Sequence, residues 1–144
     1  MNEIKFVKQF LSELSAWEML AAQLDDEIES IEDEGEMQKK FDENHELAKK
    51  ELAGVFQKYL TAKAIEDHGS NLEAQCYKQP PGHSAAEIAG MEQNEGETAV
   101  LLTLPNSDFP TWQRKYIVGQ EDGELKISGL YVLYPKKGWV REDF

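Results

Sequence analysis

The dipeptide Asp122-Gly123, set between two runs of β-branched and aromatic residues, constrains this chain more than any other feature. Asp-Gly accepts the positive φ angles of a type I′ turn, whose twist suits a two-residue β-hairpin, so Thr111 to Tyr134 reads as two antiparallel strands. With Asp122 and Gly123 at the turn, the register places Glu121 opposite Glu124, Val118 opposite Ile127, Tyr116 opposite Gly129 and Trp112 opposite Leu133. Alternation of side chains then predicts one apolar, core-facing side: Trp112, Tyr116, Val118, Ile127, Tyr131 and Leu133. Gln113, Lys115, Ile117, Ser128, Leu130 and Val132 fall on the other side.

Two long helical patterns precede this hairpin. Over residues 3–31 the apolar positions Val7, Phe10, Leu14, Trp17, Ala21, Leu24, Ile28 and Ile31 recur in steps of three and four, with Asn2 as N-cap. A second helix is predicted from Glu34 to Ile65, with Met37, Phe41, His45, Ala48, Leu52, Val55, Tyr59 and Ala62 on one stripe. Asp33 and Glu36 have capping-box spacing at its start. His68-Gly69-Ser70-Asn71 ends it, with Gly69 suited to a left-handed cap. Leu72–Lys78, Ala85–Gln93 and Thr98–Leu104 read as strands. Pro80-Pro81-Gly82 and the stretch from Pro105 to Pro110 read as breaks, and Pro135-Lys136-Lys137-Gly138 closes the hairpin. The expected fold is α+β, a long N-terminal helical hairpin packed on a curved antiparallel sheet of four to five strands. The expected organisation is one domain over residues 1–144, with the helical hairpin in 1–68, the sheet in 69–135 and a tail in 136–144.

This order, with its Asp122-Gly123-Glu124-Leu125-Lys126-Ile127 motif, resembles the nuclear transport factor two-like superfamily of cone-shaped α+β proteins. That superfamily holds isomerases, dehydratases, ligand-binding domains and protein-binding modules, so the fold alone does not choose among them. In size, acidity and lack of a catalytic signature the chain looks like one branch, the immunity proteins of bacterial polymorphic toxin systems. The resemblance implies a protein that binds and neutralises a cognate toxin.

Charge narrows the choice of partner. The chain carries 28 acidic and 15 basic residues, net −13, and only two arginines, Arg114 and Arg141. Nucleic-acid surfaces need clustered cations, so the expected partner is a basic protein. A lone cysteine, Cys76, forms no intramolecular disulfide, and no apolar run reaches the ~20 residues of a membrane span. A cytoplasmic setting without membrane contact follows as an expectation. Homodimerisation through the stripes of residues 1–65 stays open.

One segment conflicts with helix rules. Asp25, Asp26, Glu27, Glu29, Glu32, Asp33, Glu34 and Glu36 put eight carboxylates into twelve residues, with no lysine or arginine among them. The first of these fall in the last turns of helix one, where the macrodipole disfavours anions by ~0.3–1 kcal/mol each. Local conflict of this kind often marks a functional surface, so the segment is the first candidate for partner binding. Trp139 and Phe144 of the tail are the second, as exposed aromatic anchors.

Enzymatic chemistry has weaker support. His45, His68 and His83 lack metal-ligand spacing, so neither metal nor cofactor is expected. An isomerase-like or dehydratase-like alternative would place a pocket near Trp112, Tyr116 and Tyr131, with His83, Glu87 or Glu92 as base.

Overall fold

Asn2 caps the first helix: its side chain accepts from the Lys5 N–H at 2.7 Å, and α1 runs over Glu3–Glu29. The structure, a computed structural model, describes residues 2–77, 87–103 and 113–144. Asp33 caps α2 (Glu34–Tyr59) by accepting from the Glu36 N–H at 2.8 Å. Glu13 lies beside Lys58, Trp17 beside Ala48 and Leu24 beside Asn44. Those numbers run in opposite directions, so the two helices are antiparallel. The Trp17 indole donates to the Ala48 carbonyl at 2.9 Å, which locks their register.

The second helix stops six residues before the expected Ile65. Leu60 is extended, at φ −105° and ψ 152°, and forms an isolated parallel bridge with Ile127. The Thr61 N–H donates to the Ile127 carbonyl at 3.0 Å. Thr61 then caps a separate helix, α3 (Ala62–His68), through its hydroxyl, which accepts from the Ala64 N–H. The break exchanges local helical bonds for a tie to the sheet that buries Leu60.

Two further expectations change after α3. Gly69 is not a left-handed cap, because its φ is −94°. A Cβ there would lie 2.4 Å from the Ile65 carbonyl oxygen, so close backbone approach is what requires glycine. The predicted strand Leu72–Lys78 is instead a short helix, α4 (Asn71–Ala74), followed by Gln75 at φ 50°. Asn71 explains the difference. Its side chain donates to the Cys76 carbonyl and accepts from the Cys76 N–H at 2.7 Å, local bonds that compete with an extended ladder.

The sheet is a five-stranded antiparallel meander in chain order: β1 (Glu87–Asn94), β2 (Glu97–Thr103), β3 (Gln113–Glu121), β4 (Glu124–Tyr134) and β5 (Gly138–Glu142). The last strand lies in what the sequence reads as a tail. Ala85, Leu104, both proline-rich breaks, His83 and Trp112 lie outside the described residues.

Asp122 at φ 55° and Gly123 at φ 81° turn the β3–β4 hairpin, with Glu121 opposite Glu124 and Val118 opposite Ile127 as expected. The register then shifts. Ile117 faces Gly129, Tyr116 faces Leu130 and Lys115 faces Tyr131, leaving Ser128 as an extra residue. With a side-chain period of two, one inserted residue exchanges the faces beyond it. Leu130 and Val132 therefore join Tyr116, Val118 and Ile127 in the core, while Tyr131 and Leu133 turn to the opposite side. Arg141 steadies the bulge by donating to the Ser128 carbonyl at 2.8 Å. It lies over Gly129, where a Cβ would meet its guanidinium at 3.6 Å.

The core lies between α1, α2 and one face of the sheet. Val7, Phe10, Leu52, Phe56, Val100 and Ile127 are its most enclosed apolar side chains.

Candidate functional site

The sequence makes the carboxylate segment an end-to-end feature, and the fold gathers it at one end of the helical hairpin. Asp25, Asp26, Glu27 and Glu29 occupy the last turns of α1. Glu32 and Asp33 lie in the link, and Glu34 and Glu36 lie in the first turn of α2. All eight are exposed. Among the described residues none of them takes part in an ion pair. Three have structural work: Asp33 caps α2, Glu27 accepts from Asn44 at 3.3 Å, and Asp25 accepts from the Tyr77 hydroxyl. Asn44 is buried and also donates to the Leu24 carbonyl at 3.1 Å. It supplies a donor to the end of α1, whose last turn holds no basic residue.

Beside this end lies a crevice of ≈ 260 Å³ between α1, α2 and α4, bounded by Leu24, Asp25, Phe41, His45, Glu73 and Tyr77. Phe41 remains 48% exposed and stacks on His45 at 5.9 Å and 25°. Glu73 pairs with Lys49 and lies 3.7 Å from His45. The Lys49 hydrogen bond and charge lower the Glu73 pKa. Tyr77 is pushed up to about 12, first by its hydrogen bond to Asp25, then by desolvation and by Asp25, Asp26 and Glu29.

A larger cavity of ≈ 350 Å³ lies between the helices and the sheet. Phe10, Trp17, Phe56 and Leu130 form apolar walls, with Glu18, Arg114, Tyr116 and Asp143 as polar groups. Burial raises the Tyr116 pKa, and Arg114 opposes the shift. Glu18 is only 5% exposed. Sequence reasoning missed Glu18, although an acid between Leu14 and Ala22 on the apolar flank of a helix is a legible signal. The bases proposed from sequence are elsewhere: Glu87 and Glu92 are exposed on β1, and His83 lies outside the described residues.

Tyr116 and Tyr131 do not share a pocket, because the β4 bulge sends Tyr131 to the other face. There Lys115 sits 5.3 Å from the Tyr131 ring and 4.5 Å from the Trp139 ring. Trp139 is half-buried within this outer face. Phe144 is not an exposed anchor. Its ring packs edge-on against Phe10 at 6.3 Å and Phe56 at 6.5 Å, and its N–H donates to the His68 carbonyl at 3.0 Å.

Asp143 accepts from Ser70 at 2.6 Å and meets His68 Nδ1 at 2.8 Å. Both partners lower its pKa, Ser70 first. The serine and the imidazole both address the carboxylate, so the three groups form a structural clasp without the serine–histidine bond of a nucleophilic triad. Among the described residues no three His, Cys, Asp or Glu side chains are grouped to hold a metal. Nor is any helix among them long and apolar enough to cross a membrane. Comparison with protein-family models, curated proteins and solved structures finds no significant match to this chain.

Proposed function

We propose that this chain is a non-enzymatic protein-binding module, an acidic immunity protein that neutralises a basic toxin domain in the bacterial cytoplasm. The observation that carries the reading is the end of the helical hairpin. Eight exposed carboxylates are held there on two capped helix ends and their four-residue link, with no cationic neutralisation among the described residues. Concentrated like charge on a rigid support is costly alone and favourable against a basic surface. It also raises association rates through steering, which salt screens over ~8–10 Å.

The test is co-expression with the product of the neighbouring gene. The chain should protect growth, and a charge-neutralised variant of the acidic end should protect less. No protection, and no complex on co-purification, would refute the reading. The cavity between helices and sheet favours a second reading, a small-molecule-binding or isomerase-like member of the same fold. Its apolar walls and buried polar groups match the make-up of ligand sites. Retained protection by a variant with the cavity filled, such as Leu130→Trp, would set that second reading aside.

A further inference from the structure

The acidic end explains attraction but not what gives the contact its register. We infer that the crevice between α1, α2 and α4 seats one arginine side chain of the basic partner, the guanidinium stacking on Phe41 and hydrogen-bonding to Asp25. The inference rests on the protein-binding reading above and deepens it.

Three features converge on a cationic, planar occupant. The crevice, at ≈ 260 Å³, falls below the ~300–1,000 Å³ of usual small-molecule sites and suits a single side chain. Its rim bears an aromatic ring left half exposed, unusual for a phenylalanine in a helix whose other aromatics, Phe56 and Tyr59, are buried. A cation over an aromatic face gains from the ring quadrupole. The charge around the opening is negative. Asp25, Asp26 and Glu29 stand on the α1 side, and the α4 side offers Glu73, which Lys49 already neutralises. Tyr77 takes Asp25 Oδ2 and so orients the carboxylate at the crevice. Arginine fits better than lysine because its planar fork both stacks and donates in parallel to a carboxylate.

The experiment uses the ¹⁵N-labelled full chain at pH 7.5 and the peptide acetyl-Gly-Arg-Gly-amide. Its citrulline counterpart, equal in shape and uncharged, is the control. Saturable amide shifts at Phe41, His45 and Tyr77 are expected. Citrulline should bind about tenfold more weakly, and Phe41→Ala and Asp25→Asn should each weaken arginine binding about threefold or more. Phe41 is exposed and alanine is a good helix former, so unchanged thermal unfolding should accompany that loss. Equal binding of both peptides, or shifts confined to Glu32–Glu36, would overturn the arginine seat. The parent reading fails separately. With the toxin domain in hand, protection that survives Phe41→Ala and Asp25→Asn but is lost on neutralising Glu32, Glu34 and Glu36 rejects the crevice and keeps the module. Protection indifferent to every one of these changes rejects both the crevice and the acidic end as the contact, and absence of protection by the unaltered chain rejects the module itself.

Discussion

Two glycines fifteen residues apart should respond to alanine with opposite signs. Gly54 lies inside α2 on an exposed face, and a Cβ there meets nothing within 4 Å. Its replacement removes only the backbone freedom that glycine brings to a helix, so Gly54→Ala should stabilise by ~0.5–1 kcal/mol. Gly69 is buried at the end of α3. Its added Cβ would sit 2.4 Å from the Ile65 carbonyl oxygen, a contact no side-chain rotation can relieve. That carbonyl also accepts the Gly69 N–H at 3.0 Å, so retreat of either group strains the capping bond. Gly69→Ala should therefore cost about 1–3 kcal/mol, the range of overpacked sites. Urea unfolding followed by helical circular dichroism measures both. In thermal melts the two should move apart, by roughly 2–4 °C per kcal/mol at this chain length. A Gly69→Ala protein as stable as wild type would refute the close-approach argument, and a destabilised Gly54→Ala would refute the open-face one.

The β4 bulge makes a sharp contrast. Leu130→Ala should cost about 2–5 kcal/mol as a core truncation, and Leu133→Ala under about 1 kcal/mol; equal losses in urea melts would contradict the face exchange. Combining Asp26→Asn, Glu29→Gln, Asp33→Asn and Glu36→Gln should leave stability level or raise it, because like-charge repulsion at the α1 terminus falls while asparagine keeps the α2 cap. A clear loss of stability would show that the carboxylates have partners in the fold. The neutral Tyr77 hydroxyl is favoured in the folded chain, so its contribution is complete below pH 10 and lost as pH rises towards about 12. The stability difference between wild type and Tyr77→Phe should shrink only in that alkaline window, and shrinkage at neutral pH would argue against the Asp25 bond. Asp143 has the opposite sign. Its lowered pKa contributes stability above about pH 3.8 that disappears as pH falls below it. An Asp143→Asn variant should therefore differ from wild type at pH 6 and converge with it in strong acid, as read from urea midpoints.

What local chemistry dictates was legible in the residues. Asn2 and Asp33 cap helices because a short oxygen-bearing side chain can meet an unpaired N–H three residues on, and nothing distant is needed. The spacing of Val7, Phe10, Leu14 and Trp17 determines a helix face, and Asp122-Gly123 determines a turn, for the same reason. The acidic end was equally readable, since charge density is a property of order along the chain. Apart from the turn that Asn71 makes with Cys76 and the close approach of Gly69 to Ile65, which are local, departures occur where a distant group competes. Leu60 leaves the helix because Ile127 offers its backbone a bridge and the core encloses its side chain. Ser128 is extruded from the ladder, with Arg141 from the next strand bonded to its carbonyl, and that single insertion decides that Leu130, and not Tyr131, faces the helices. Phe144 reads as a free aromatic until Phe10 and Phe56 are seen to receive it. The crevice beside Phe41 needs Tyr77 to return to α1 and bond Asp25, a meeting of residues 52 positions apart that no periodicity encodes. The sequence by itself determined elements, caps and charge; only the tertiary structure decided faces, breaks and cavities, because these depend on free energies shared between segments that the chain order keeps apart.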